Sequence, residues 1–262
     1  MSWLEALILG VIQGLTEFLP VSSSGHLELG KAILQIQAKE NLTFSIVVHG
    51  ATVLSILVVF WRDIRNLLLR SFRFEYNESN SYVLKLLVSM VPVGIVGIFF
   101  KEQVESLFTG NIVLVGSMLL VTAVILVVTN FVPSGKRSIT YLDALIIGIV
   151  QALAVMPGIS RSGATISTAL FLGNNRDQAA RFSFLMVILP IVAANFLDLR
   201  GMESSGPGAI GWFPLVVGFV AAFVSGLIAC NWMLKIVRKG KLLYFGIYCL
   251  VVGIIALVVG LI

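Results

Sequence analysis

Apolar runs separated by short polar stretches recur along the whole chain: Leu4 to Leu19, Phe44 to Trp61, Tyr82 to Phe100, Ile112 to Val132, Ala144 to Met156, Phe182 to Leu197, Phe213 to Met233 and Leu242 to Ile262. Several reach the ~20 residues with which a helix crosses ~30 Å of hydrocarbon, so the pattern predicts a polytopic helical membrane protein. Two runs fall short. Those before Pro20 and Pro157 hold only about 15 residues each, and each is followed by a Ser/Gly-rich turn and another short segment. They are read as re-entrant helical hairpins, with three longer spans after each. The first run carries Glu5 and no Lys or Arg ahead of it, and no small-residue cleavage pattern follows, so it is read as part of the fold.

Sliding the chain against itself reveals a repeat. Ala6 to Leu15 aligns with Ala144 to Leu153, and the same ungapped register pairs Glu5 with Asp143, Gln13 with Gln151, Ser22 with Ser160, Ser24 with Ser162, Gly25 with Gly163 and Phe44-Ser45 with Phe182-Ser183. A weaker echo relates Gly116 to Gly246. An odd number of crossings per unit turns the second copy upside down, so the expected fold class is an all-α polytopic membrane protein with an inverted-topology repeat. It forms a single membrane domain over 1–262, with repeat one at 1–133 and repeat two at 138–262.

Charge agrees with that arrangement. A loop with Arg62, Arg65, Arg70 and Arg73 on the cytoplasmic side puts Lys136 and Arg137, Arg176 and Arg181, and Lys235, Arg238, Lys239 and Lys241 on the same side. The opposite loops then hold Lys39, Lys101 and Arg200, as the positive-inside rule requires. Both termini are expected outside. Composition adds that lipid is the solvent: 58% of residues are hydrophobic and 12% charged, against roughly 25% charged in soluble domains. The net charge of +5 comes without a basic cluster interleaved with aromatics, which excludes a nucleic-acid partner. Cys230 and Cys249 fall inside apolar spans and suggest neither a disulfide framework nor a metal site.

Candidate chemistry is concentrated in the two hairpin tips, Gln13 to His26 and Pro157 to Thr165. Irregular polar backbone at membrane depth is tolerated only where protein or a wet cavity surrounds it, and ionisable residues there default to function. In each tip a Pro ends one helix and Ser residues open the next. Two helix starts aimed at one point, with the planar donor Arg161, suit a diphosphate. The tips differ, since Glu17 aligns with Val155, His26 with Ala164 and Ser23 with Arg161. The roles expected are Glu17 holding a divalent cation with help from Gln13, Ser23 or a water attacking phosphorus, His26 moving the proton, and Arg161 neutralising charge. Phosphate oxygens would meet Ser22, Ser24, Ser160, Arg161, Ser162 and Thr165.

The stretch Gly14-Leu-Thr-Glu-Phe-Leu-Pro-Val-Ser-Ser-Ser-Gly-His26, together with Pro157-Gly-Ile-Ser-Arg-Ser-Gly-Ala-Thr165, resembles the undecaprenyl-diphosphate phosphatases, the bacitracin-resistance family. The resemblance implies a bacterial plasma-membrane enzyme that converts undecaprenyl diphosphate to undecaprenyl phosphate and inorganic phosphate, recycling the carrier for peptidoglycan and other envelope polymers. It implies dependence on Mg²⁺ or Ca²⁺, with the family's acidic pair on Gln13 and Glu17, and site roles for Ser22, Ser23, His26, Ser160, Arg161 and Thr165. The active site is expected to face the periplasmic side. Partners expected are the lipid substrate and bilayer lipids, and a homodimer is admitted.

Blander readings stand beside these. Ser24, Ser162, Gly25 and Gly163 also suit close packing, Glu5 and Asp143 suit helix-dipole partners, and Glu28 and Lys31 suit a solvated face. His49 is read as a hydrogen-bonded structural residue. Two rival functions remain: a transporter or flippase for a polyprenyl phosphate, which shares inverted repeats with broken helices, and a structural scaffold.

Overall fold

The computed structural model describes residues 1–34, 38–71, 77–108, 110–133, 135–203 and 210–261, with side chains for all of these except 38–42, 71 and 197–203. Arg73 and the side chains of Lys39 and Arg200, used above for orientation, therefore lie outside the described residues, as does Ile262. Among the described residues every regular element is a helix, and extended backbone pairs only in an isolated bridge between Arg137 and Asn174. In chain order the helices are α1 (Trp3–Phe18), α2 (Ser23–Leu34), α3 (Ala38–Val59), α4 (Trp61–Ser71), α5 (Glu78–Phe99), α6 (Lys101–Glu105), α7 (Ile112–Thr129), α8 (Tyr141–Leu153), α9 (Arg161–Phe171), α10 (Arg176–Met186), α11 (Ile188–Glu203), α12 (Trp212–Arg238) and α13 (Leu243–Leu261).

Five stretches are long and apolar enough to cross a bilayer, or six when α3 and α4 count as one span bent by 71°. The protein is thus a multi-pass helical membrane protein. Two boundaries differ from the apolar pattern. The run from Phe182 is only part of a longer stretch that begins at Arg176 and breaks at Val187 between α10 and α11. After Phe60 the chain turns into α4, whose Ile64 and Leu67 pack on the core while Arg62, Arg65 and Arg70 stay exposed. Such amphipathicity gives a helix reason to leave the spanning direction.

Local chemistry starts the two short hairpin helices in the same way. Ser2 accepts from the Glu5 N–H at 3.3 Å and the Glu5 carboxylate accepts from the Ser2 N–H at 2.8 Å, a capping box at the start of α1. Thr140 and Asp143 repeat it at the start of α8, at 3.2 and 2.9 Å. Asp143 is buried and also meets Arg137 at 2.7 Å and Asn174 at 3.1 Å.

Packing crosses between the halves. The first short helix, α1, lies along α12, and the second, α8, lies along α5. A Cβ on Gly10 would stand 2.5 Å from the Gly218 carbonyl oxygen of α12, and one on Gly148 would stand 2.3 Å from the Ser89 carbonyl oxygen of α5. In lipid, where apolar burial alone does not drive helices together, backbone contact of this kind carries the association. The last spans of the two halves, α7 and α13, meet the same way through Gly116 and Gly253. Elsewhere an ionic chain links α4, α10 and α12: Asp63 to Arg181 at 2.8 Å, Arg181 to Asp177 at 3.0 Å, and Asp177 to Arg238 at 2.6 Å.

Candidate active site

The first tip forms because α1 cannot continue into Pro20, which lacks an N–H. The turn after it carries Ser22 at φ +71°, and α2 opens at Ser23 with the Gly25 N–H donating to Ser22 Oγ at 3.3 Å. In the second tip α8 ends at Leu153, the chain turns through Gly158 at φ +98°, and Ser160 caps α9 by accepting from the Gly163 N–H at 3.1 Å. A non-glycine residue in the left-handed region costs of order 1–3 kcal/mol and persists only where its surroundings hold it. What holds Ser22 is the other tip.

The two tips clasp one another. The Gly158 N–H donates to Ser22 Oγ at 3.1 Å, and the Ser162 hydroxyl donates to the Leu19 carbonyl at 3.3 Å. A Cβ on Gly25 would lie 3.0 Å from Gly158 Cα, so glycine is needed for the approach. Thr122 of α7, outside both motifs, ties the second tip from behind. Its hydroxyl donates to the Gly158 carbonyl at 2.9 Å and accepts from the Ser160 N–H at 3.0 Å. The starts of α2 and α9 therefore point their positive dipole ends into one region.

Glu17 is the hub of that region. One carboxylate oxygen receives Arg161 Nη2 at 2.6 Å, and the other receives Ser23 Oγ at 2.6 Å and Gln13 Nε2 at 2.9 Å. Glu17 and Gln13 thus belong to the first half and Arg161 to the second. The Glu17 side chain is only 4% exposed while Arg161 keeps 29%, so the cation forms the more open side of the pair. A cavity of about 10 Å³ lies against Glu17, Arg161, Ser162, Ser183 and Val187. It has room for about one water.

The remaining candidates take different places. His26 turns away from the hub, with Nδ1 2.9 Å from the Ser22 carbonyl and Nε2 2.8 Å from the Tyr248 hydroxyl, its ring stacked on that tyrosine. Ser22 and Ser160 use their oxygens to cap and clasp the tips, and Ser24 and Ser162 lie 3.4 Å from them. Thr165 donates back to the Arg161 carbonyl at 2.8 Å. One expectation is extended and one changes. His49 is hydrogen-bonded as expected, its Nδ1 2.8 Å from the Ser45 carbonyl, and its Nε2 also stands 4.0 Å from the Glu17 carboxylate, so His49 borders the hub. Glu28 and Lys31 pair at 3.2 Å and are mostly covered, so they do not form a solvated face. Nothing in the local pattern of α3 marks His49; only its pairing with Val187, another wall of the cavity, could have drawn notice.

For a divalent cation the donor set is small. Among the described residues no group of three or more His, Cys, Asp or Glu gathers to hold a metal. Gln13 Oε1, however, is buried without a hydrogen-bond partner, one helical turn from the Glu17 carboxylate. With the Gln13 amide turned so that Oε1 rather than Nε2 faces Glu17, two oxygens fit a hard cation that takes the rest of its shell from phosphate and water, as Mg²⁺ commonly does.

The chain resembles known proteins along nearly its whole length. The chain is 54% identical to an undecaprenyl-diphosphatase of Parabacteroides distasonis over 98% of both chains. It is 53% identical to one of Bacteroides fragilis over 99% of this chain and 98% of that protein, and 38% identical to one of Halothermothrix orenii over 97% and 96%. Residues 6–255 match the family model described as bacitracin resistance protein BacA, and the chain belongs to that family.

Proposed function

We propose that this protein hydrolyses undecaprenyl diphosphate to undecaprenyl phosphate and inorganic phosphate, and so returns the carrier lipid to peptidoglycan and envelope polymer synthesis and underlies bacitracin resistance. The observation that carries the reading is the meeting of Ser23, Glu17 and Arg161 across the two tips within 2.6 Å contacts. A hydroxyl already donating to a carboxylate, beside a guanidinium, is the start of a phosphoryl transfer.

The cavity holds about one water, so the terminal phosphoryl group enters by taking Arg161 away from Glu17. A phosphate carries more charge than a carboxylate and accepts the same planar fork. Glu17, released from its cation, becomes the stronger base toward Ser23. The Ser23 oxygen attacks the terminal phosphorus, its proton passes to Glu17, and the bond from phosphorus to the bridging oxygen breaks with its electron pair leaving on the lipid phosphate. Water then attacks the phosphoserine, Ser23 Oγ recovers a proton from Glu17, and inorganic phosphate departs. His26 acts at the entrance: with Nδ1–H donating to Ser22, Nε2 is the nitrogen that exchanges protons. Gln13 Oε1 and Glu17 would hold Mg²⁺ or Ca²⁺, which supplies charge neutralisation on the phosphate oxygens. Ser24, Ser162 and Thr165 line the phosphate's approach, and Ser22 and Ser160 keep the tips in register.

The single domain is proposed to comprise two inverted halves, 1–133 and 138–262, each a re-entrant hairpin and three spans. Crosswise packing of α1 on α12 and α8 on α5 supports this, as do the capping boxes at repeat-related positions. The ionic chain through Asp63, Arg181, Asp177 and Arg238 draws together segments assigned to the cytoplasmic side, which supports a plasma-membrane orientation with the site opening outward and both termini outside.

Phosphate release from undecaprenyl diphosphate by the purified protein in detergent tests the reading, because no gradient exists there to drive transport. Glu17→Gln and Arg161→Ala should each lower kcat/KM by about 100-fold or more. A polyprenyl-phosphate flippase would release no phosphate, and unchanged hydrolysis in both variants would overturn the assigned chemistry.

A further inference from the structure

Buried serines in these helices normally return their hydroxyl to a carbonyl of the preceding turn. Ser55 donates to Ala51, Ser89 to Leu86 and Ser225 to Ala221, all between 2.6 and 3.1 Å. Ser183, in the last full turn of α10, does not. It is 5% exposed, its Oγ is buried, and that atom has no hydrogen-bond partner. Leaving a hydroxyl unpaired inside a membrane protein costs free energy that back-bonding would recover, so the position calls for an explanation. Ser167 shares the property but is not among the walls of the cavity at Glu17. Ser183 is one of those walls, together with Glu17, Arg161 and Ser162.

The backbone there is held firmly. Phe182 meets Tyr82 edge-on at 5.8 Å, and Phe184 packs against Phe18 at 5.9 Å and Phe60 at 6.1 Å. Phe18 is the neighbour of Glu17 in sequence, so the aromatic contact fixes the distance between the α10 wall and the carboxylate. That wall has counterparts in the first half: the register that pairs Ser45 with Ser183 also pairs His49 with Val187, and His49 stands 4.0 Å from the Glu17 carboxylate.

We infer that Ser183 is a substrate-binding residue of this site, its hydroxyl donating to a terminal phosphoryl oxygen of the diphosphate together with Arg161. The inference rests on the phosphatase reading and adds to it a donor from α10, outside both tip motifs. A donor with no protein partner, lining a cavity that has room for about one water, can exchange that water for a phosphoryl oxygen when the phosphate arrives, so phosphate is bound without breaking a bond of the fold.

The test is Ser183→Ala in the detergent-purified protein, with Ser183→Thr as the hydroxyl-retaining control. Hydrolysis of undecaprenyl diphosphate and the thermal unfolding midpoint are both measured. Loss of a hydrogen bond to an ionised phosphate should lower kcat/KM by about 10- to 100-fold. The midpoint should stay or rise, because the hydroxyl contributes no bond to the fold, and Ser183→Thr should recover most of the activity. A kcat/KM within about twofold of the parent overturns the inference, as does a midpoint that falls together with activity, which marks a structural hydroxyl. Glu17→Gln and Arg161→Ala run alongside: if they abolish hydrolysis while Ser183→Ala does not, only the Ser183 role fails, and if they too are active the phosphatase reading itself fails.

Discussion

Replacing Thr122 with Val probes how the second tip is held. The substitution keeps shape and branching but removes the hydroxyl that donates to Gly158 and accepts from Ser160. Thr122 is 2% exposed, so water does not readily replace it. Two backbone groups lose their partners at once, and each unsatisfied group costs about 1–3 kcal/mol, giving about 2–6 kcal/mol if the tip does not relax. With about 2–4 °C of unfolding midpoint per kcal/mol at this chain size, the loss is roughly 4–24 °C. Arg161 follows Ser160 directly, so loosening the turn also misplaces the guanidinium, and kcat/KM should fall more than stability alone explains. The assay pairs thermal unfolding in detergent with phosphate release. Thr122→Ser keeps both hydrogen bonds and should stay close to the parent. A Thr122→Val protein that unfolds within about 2 °C of the parent and hydrolyses normally would refute the clamp.

Other substitutions read other parts of the structure. Gly14→Ala places a methyl 2.0 Å from Ser225 Oγ and 2.4 Å from the Ala222 carbonyl oxygen, so α1 must move off α12. A loss of about 1–3 kcal/mol or more is expected by unfolding, whereas Gly94→Ala, with nothing within 4 Å, should be neutral or stabilising. Gln13→Glu supplies a second carboxylate beside Glu17 and should lower, by several-fold, the Mg²⁺ concentration that half-restores activity after chelation. An unchanged Mg²⁺ midpoint would separate Gln13 from the cation.

Much of this architecture is written locally. Apolar runs mark the spans, the Pro and Ser pattern marks both tips, and Glu5 and Asp143 mark the helix starts, because each signal concerns residues within a few positions of one another. Glu17 and Arg161 were legible as site residues for a different reason: an ionisable residue at membrane depth has few other ways to be tolerated, although their direct pairing was not legible. Thr122, His49 and Ser183 were not legible as site residues. Each sits in a helix whose hydropathy it barely alters, and its importance comes from what distant segments bring to it. The bend into α4 was hidden likewise, since the apolar count runs on to Trp61 while the change of direction depends on where the Arg residues find water.

The docking of α1 against α12 has a consequence for how the protein is made. The first helix leaves the ribosome about 200 residues before its packing partner does, which at ~5–20 residues per second is roughly 10–40 s. For the first 144 residues of that wait the nascent chain holds a carboxylate at position 17 whose guanidinium has yet to be translated. A hairpin with an uncompensated carboxylate is expected to stay near water until the later half supplies its partner, so docking of the second half and neutralisation of Glu17 are expected to coincide.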